Sequence, residues 1–239
     1  MDKINYKDRQ VSGTYMRFSQ FAGIVGCTTA AFISIAPMQV EAATFKVISG
    51  VTSIDRDHED ILKSIGLILT GSNNTVAPIP SNYLVGFNID SATNFTFSDE
   101  GGFTPLSGTI EHTGTVTFNN QTTVGDFSIG FAPGRTTEGA SGFVLRDTFS
   151  LDTILFDLSL PEPAVFDGKN LTIPDVKLLF SPEFAKILGN PDLTGVFAGT
   201  ARIDAQVAAV PEPDSVLAVL AVGAALLATR FYTQKIKCN

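Results

Sequence analysis

Apolar and polar positions alternate through most of the chain between residues 85 and 207. In one stretch Val85, Phe87 and Ile89 are separated by small or polar residues, and Phe127, Ile129 and Phe131 repeat the pattern. Further alternating sets are Phe95 and Phe97, Val116 and Phe118, Phe149 and Leu151, Phe156, Leu158 and Leu160, and Leu171, Ile173, Val176, Leu178 and Phe180. A period of two in aromatic and β-branched residues is typical of strands with one buried face. The pattern predicts about ten short strands, the first at residues 45–51 and the last at 196–207.

Turn-forming residues separate the predicted strands. Asn119-Asn120 stands between two alternating segments and predicts a two-residue hairpin loop. Asp99 to Gly102 and the pair Pro133-Gly134 also have the residue composition of turns. Short strands at regular spacing predict an all-β fold, and we expect a single antiparallel β-sandwich over residues 43–209.

One or two short helices are expected in this domain. Ser181 can cap a helix, Pro182 suits its first position, and Gly189 can end it. Acidic residues at 55–60 precede Ile61 and Leu62, and acidic side chains in a first turn complement the helix dipole. Asp55, Asp57, Glu59 and Asp60 could instead form a cation site, but their spacing does not match an EF-hand loop. We therefore predict a helix start there and no metal site.

The N-terminal segment has the pattern of a secretory signal peptide. Residues 18–36 are mostly apolar, and small residues at Ala42 and Ala43 follow them, so cleavage is expected after one of these alanines. Residues 1–15 are polar, which suggests that Met16 is the true start and that residues 1–42 form a signal peptide with an over-long beginning. Two alternatives remain, a signal helix that stays as a membrane anchor, and a lipobox at residues 24–27 that would make Cys27 a lipidated residue.

The C-terminal segment, residues 210–239, has three consecutive parts. Pro211-Glu212-Pro213 comes first, and an apolar run at residues 216–228 and a basic end follow it. The run includes Val216, Leu217, Leu220, Leu226 and Leu227, and the basic end includes Arg230, Lys235 and Lys237. Thirteen residues form a helix of roughly 20 Å, shorter than the roughly 30 Å hydrocarbon core. The run nevertheless has no polar face, and the basic end predicts a transmembrane helix with a cytoplasmic C-terminus.

This order of tripeptide, apolar helix and basic end resembles the PEP-CTERM sorting signal of exported bacterial proteins. The resemblance covers only about the last thirty residues. It implies a membrane-embedded exosortase that recognises Pro211, Glu212 and Pro213 and cleaves near them. Pro161-Glu162-Pro163 repeats the tripeptide without an apolar run behind it, so we expect an ordinary turn there.

Charge and composition exclude several classes of function. The chain carries 16 lysines and arginines against 24 aspartates and glutamates, a formal net charge of −8, which argues against nucleic acid as a partner. Both cysteines, Cys27 and Cys238, lie outside residues 43–209, so no disulfide is expected in the domain. The absence of tryptophan weakens a lectin hypothesis, because aromatic platforms for sugars usually use tryptophan or tyrosine.

No catalytic motif stands out in the sequence. His58 and His112 are the only histidines and have no zinc-type spacing. Asp152 and Asp157 do not distinguish themselves from other carboxylates as a glycosidase pair. We therefore expect no cofactor and no enzymatic activity.

These patterns together predict an exported, non-enzymatic protein of the cell surface or exopolysaccharide matrix. It would be anchored in the membrane until an exosortase releases it, with exopolysaccharide as a further partner. The alternative is a secreted carbohydrate-binding module or glycan-active enzyme, in which carboxylates and Tyr83 or His112 would line an acidic cleft.

Overall fold

The computed structural model describes residues 43–100, 102–159 and 163–211. These residues form fourteen strands, two α-helices and one 3₁₀ helix, Pro191–Leu193. The strands are β1 (Thr44–Ile54), β2 (Leu69–Asn73), β3 (Val85–Ile89), β4 (Thr96–Ser98), β5 (Thr104–Ser107), β6 (Ile110–Thr113), β7 (Thr115–Phe118), β8 (Thr122–Gly125), β9 (Ser128–Thr136), β10 (Ser141–Asp147), β11 (Thr153–Leu158), β12 (Val165–Phe166), β13 (Asn170–Phe180) and β14 (Phe197–Ala209). The helices are α1 (Asp57–Ser64) and α2 (Pro182–Ile187).

Eight of the strands close into an antiparallel barrel. Their order around the ring is β1, β3, β6, β9, β10, β11, β13 and β14, and β14 pairs again with β1. The prediction of an antiparallel all-β domain is confirmed. The predicted sandwich is wrong, because one sheet closes on itself to form a barrel. Alternation marks one buried face per strand in both architectures, so it does not distinguish them. Register shifts in the long strands β1, β13 and β14 provide the local bends that closure requires.

Further strands extend the barrel at one end. The first residues of β1 pair with β4, which pairs with β5, and the first residues of β13 pair with β12. We call this the terminal end, because it contains Thr44, the first residue of β1, and Ala209, the last residue of β14. The opposite end contains Ile54, α1 and α2 and is called the helical end. A separate sheet of β2, β7 and β8 forms the rest of the domain.

Phenylalanine rings fill the terminal end. Phe97 is fully buried and stacks on Phe45 at a centroid distance of 5.6 Å. Phe166 contacts both rings edge-on, at 4.6 Å from Phe45 and 5.3 Å from Phe97, and Phe103 lies 5.1 Å from Phe97. Edge-to-face and offset pairs add attraction beyond the burial of apolar area. The cluster therefore attaches β4 and β12 to the barrel.

Both predicted helices are present, and their starts differ in the way they are capped. The hydroxyl of Ser181 accepts the N–H of Phe184 at 3.0 Å, which confirms the predicted cap, and Pro182 occupies the first position of α2. In α1 the N–H of Asp57 is bound by Oδ1 of Asp55 at 3.2 Å. Side-chain oxygens at helix starts satisfy N–H groups that have no partner within the helix.

Three local predictions are corrected by the structure. The turn expected at Pro133-Gly134 is wrong, because both residues lie within β9. Phe149 and Leu151 were expected in a strand, but they lie in the loop between β10 and β11, and Phe149 is exposed. The hairpin between β7 and β8 is confirmed, although its loop is longer than two residues, because Phe118 pairs with Thr122. Asn119 and Asn120 both adopt positive φ, a conformation that asparagine tolerates better than most residues.

The segments outside the described residues include both predicted targeting signals. The signal peptide at residues 1–42 and the tail from Glu212 onward lie there, as does the predicted membrane helix at residues 216–228. No helix within the described ranges has the length and apolar character needed to cross a membrane.

Candidate functional site

Two cavities lie inside the barrel, one toward each end. The helical-end cavity has a volume of about 60 Å³ and is lined by residues that include Thr52, His58, His112 and Phe156. The terminal-end cavity has a volume of about 390 Å³ and is lined by Ile129, Phe143 and others given below. Strand residues such as Ile110, Ile129 and Ile203 form part of these linings, and residues of α1, α2 and the connecting loops complete them.

The helical-end cavity brings the two histidines to one place. Nδ1 of His112 lies 2.8 Å from the carbonyl oxygen of Phe127, so this nitrogen carries the proton and donates. Nε2 of His112 then accepts the hydroxyl proton of Thr52 at 2.7 Å. Nδ1 of His58 donates to the carbonyl oxygen of Ala198, and its ring packs edge-on against Phe156 at 5.6 Å. Hydrogen bonds to backbone carbonyl groups, and to Thr52 in the case of His112, hold both rings in place.

Burial keeps these histidines neutral at pH 7. Desolvation lowers the pKa of His112 to about 4, against the opposing effects of the bond to Phe127 and the charge of Glu111. Desolvation also lowers the pKa of His58, opposed by its bond to Ala198 and by Asp57. A general base works best with a pKa near the operating pH, so His112 is poorly suited to proton transfer. Its bonds indicate a structural role between strands.

The terminal-end cavity is lined almost entirely by apolar side chains. Its walls are formed by Phe95, Phe103, Pro105, Ile110, Ile129, Phe143, Leu158, Pro163, Ala164, Ile173, Val176 and Ile203, with Gly102, Ser141 and Ser159 completing the lining. Ser141 donates its hydroxyl to the carbonyl oxygen of Leu158 at 2.8 Å and accepts the N–H of Phe143 at 3.2 Å. Ser159 accepts the N–H of Lys177 at 3.0 Å. The hydroxyls of the wall are therefore already bonded to the backbone.

The sequence-predicted processing residues fall partly within the structure. Ala43 is half-buried against the core beside β1, and Pro211 is exposed two residues after β14. Ala42, Glu212, Pro213 and the residues of the predicted membrane segment and basic end lie outside the described residues. Pro163, from the second tripeptide, is exposed and borders the terminal-end cavity.

The acidic residues considered as sites make separate contacts. Asp57 binds the hydroxyl of Thr200 at 3.1 Å, and Glu59 forms an ion pair with Lys63 at 2.8 Å. Asp152 pairs with Arg146 and Asp157 with Arg135, each at 2.7 Å. Arg135 also makes two bonds to Glu183 of α2, at 2.6 and 3.0 Å. This guanidinium thereby joins β9, β11 and α2.

The residues proposed to line an acidic cleft do not come together in a single cleft. His112 is enclosed in the barrel, and Tyr83 is only 9% exposed, so its ring is not a platform for a sugar. Burial and nearby carboxylates, with Asp55 the first of them, raise the pKa of Tyr83. A polar groove does exist on the outer surface across β3, β1, β14 and β13. Its lining includes Ser49, Asn88, Asn170, Thr172, Asp204 and Gln206.

Asp147 is a structural site that the sequence pattern does not reveal. Its side chain is fully buried, and its carboxylate accepts four backbone N–H groups. Oδ1 accepts from Gly125 at 2.6 Å and Phe149 at 3.3 Å, and Oδ2 accepts from Ser150 at 3.1 Å and Leu151 at 2.6 Å. The carboxylate fixes the loop after β10 and attaches it to β8. The sequence shows only an Asp after the alternating segment and before Thr-Phe-Ser, and neither its burial nor its four bonds can be inferred from that.

No family model matches this chain. No curated protein matches it. The C-terminal domain of HtaA from Corynebacterium glutamicum is a similar solved structure, with a TM-score of 0.43 and 9% identity over 69% of this chain and 99% of that one. A likeness at this level establishes neither a shared fold nor a shared function.

Proposed function

We propose that this chain is an exported, non-enzymatic protein of the cell surface or exopolysaccharide matrix, sorted by its PEP-CTERM-like tail. An exosortase would act near Pro211, Glu212 and Pro213 while the apolar segment holds the chain in the membrane with its C-terminus in the cytoplasm. After cleavage the domain would remain at the cell surface or leave it.

The observation that supports this proposal is the position of the two domain ends. Phe45 pairs with Ala209 across the first and last strands, and the N–H of Val210 donates to the carbonyl oxygen of Thr44 at 2.8 Å. Both predicted processing points therefore adjoin one end of the barrel. Pro211 is exposed and follows the last described strand after a single residue, so the tripeptide begins directly beyond the end of β14. Attachment at this end would leave the outer wall of the barrel free.

The test is processing of the full chain in host cells that carry an exosortase. Glu212→Ala is expected to insert normally and remain uncut, because the apolar segment and basic end are unchanged. Glu162→Ala is the matched control, since no apolar run follows that tripeptide, and its processing is expected to equal that of the wild type. Fractionation and blotting for the size shift measure both. Equal processing of the wild type and Glu212→Ala would contradict sorting by the tripeptide and favour a permanent C-terminal anchor.

A further inference from the structure

The terminal-end cavity opens to the surface beside Pro105 and Pro163, which are both exposed, and measures about 390 Å³. It is therefore a pocket that a ligand could enter from solvent. At about 30 Å³ for each water-sized group, it has room for about a dozen of them. Ligand pockets usually measure about 300–1,000 Å³, and an eight-stranded barrel is just wide enough to hold one small ligand.

The lining determines what kind of ligand the cavity can accept. Among the described residues that form it, none carries a charge. Ser141 both donates and accepts within the protein, and Ser159, which accepts the N–H of Lys177, lies at the rim. A polar group placed deeper, among the apolar side chains, would lose its bonds to water without replacement, which is costly. An apolar ligand would lose nothing of this kind and would gain contacts with Ile110, Ile129 and Ile203.

The rim of the cavity adjoins a polar surface. Ser159 lines the cavity and also borders an outer groove, together with Glu138, Asp175 and Lys177. A molecule with an apolar chain in the cavity can therefore keep a polar head in water at this rim. The groove contains charges of both signs, so a head group of one particular charge is not selected.

We propose that the terminal-end cavity binds one hydrocarbon chain of about twelve carbons from a single-chain amphiphile. The aliphatic wall surrounds the chain inside the barrel, and the head group stays at the Ser159 rim. This site is independent of the sorting proposal, because it uses neither the tail nor its cleavage.

The test uses the full chain in lipid nanodiscs and a twelve-carbon fatty acid with a diazirine near its methyl end. After illumination, mass spectrometry of peptides locates the label. We expect labelled residues in the cavity lining, such as Phe143 or Leu158, in addition to any label on the apolar tail. Excess dodecanoate and excess dodecanol should both suppress the cavity label at least fivefold.

Ile129→Trp fills the cavity from β9 and should reduce its labelling at least fivefold, while labelling of the tail stays unchanged. Ile187→Trp is the matched control, because Ile187 is 52% exposed on α2 at the helical end. Ala164→Phe at the rim provides a second variant if Ile129→Trp fails to fold, as judged by circular dichroism. The proposal is overturned if the cavity residues of the wild type are not labelled, or if a folded filling variant is labelled as strongly as the wild type.

Discussion

The hydroxyl of Thr52 lies 2.7 Å from Nε2 of His112, so a side-chain bond joins β1 to β6 inside the barrel. These strands are not neighbours in the ring, since β3 lies between them. The second nitrogen of His112 is bound to Phe127, immediately before β9. One imidazole thus links three segments of the wall, and it can do so only as the neutral form with the proton on Nδ1.

This arrangement predicts that stability depends on pH. The pKa of His112 is about 4 in the folded protein and about 6.5 in the unfolded chain, so between these values the unfolded state binds more protons. The contribution of His112 is fully present above pH 6.5, falls as the pH drops, and is lost by about pH 4. The expected decrease in the free energy of unfolding is about 3 kcal/mol over this range.

Urea unfolding of the wild type and His112→Gln between pH 7.5 and 4.5 measures this effect. Glutamine can accept from Thr52 and donate to Phe127, but it does not titrate, so the variant should show a shallower decline. The decline that persists in the variant is expected from His58, whose pKa is lowered in the same direction. Identical pH profiles for both proteins would show that His112 does not titrate as its burial implies.

Asp147→Asn should destabilise the domain by about 3 kcal/mol, because an amide NH₂ would replace one of the two oxygens that accept backbone N–H groups. Asp152→Asn is the control, since Asp152 is 84% exposed and its ion pair with Arg146 is of the surface kind, worth less than about 1 kcal/mol. Equilibrium unfolding in urea compares the two variants. Equal losses would mean that the four bonds of Asp147 contribute no more than a surface pair.

Gly199→Ala should disturb the packing of α1 on β14 and lower the free energy of unfolding by about 3 kcal/mol. Gly199 has a φ of +139°, and an added Cβ would lie 2.6 Å from Cβ and 2.8 Å from Cα of His58. Gly134→Ala is the matched control, because nothing lies within 4 Å of an added Cβ there. Thermal unfolding should show a large decrease for the first variant and little change for the second. If Gly199→Ala leaves thermal stability unchanged, α1 can move away from the barrel without loss of stability.

Sequencing of the exported protein should find an N-terminus at Ala43 or Thr44. Thr44 is the first residue of β1, so cleavage there would leave the strand intact. Detection of a diacylated Cys27 would contradict this prediction and place the chain among lipoproteins.

Much of the fold followed from local patterns, and the remainder depended on distant contacts. Ser181, Pro182 and Gly189 determine α2 through their own backbone preferences, so they could be interpreted without the fold. The pairing of β1 with β14 and the exposure of Phe149 arise from tertiary structure and leave no local signature. The terminal-end cavity could not be predicted either, because a sequence does not show where the packing of side chains leaves a space.

Closure of the ring by its first and last strands has a consequence for folding during export. Phe45 and Ala209 are partners at opposite ends of the domain sequence, and such distant pairings give a high contact order and slow folding. If the chain crosses the membrane from its N-terminus, β1 emerges first and must wait for β14. Until then β1 and β13 each have a free edge, and such edges pair readily with other chains. In such an export, the period between translocation of β1 and arrival of residues 197–209 would be the one in which the domain is most prone to aggregate.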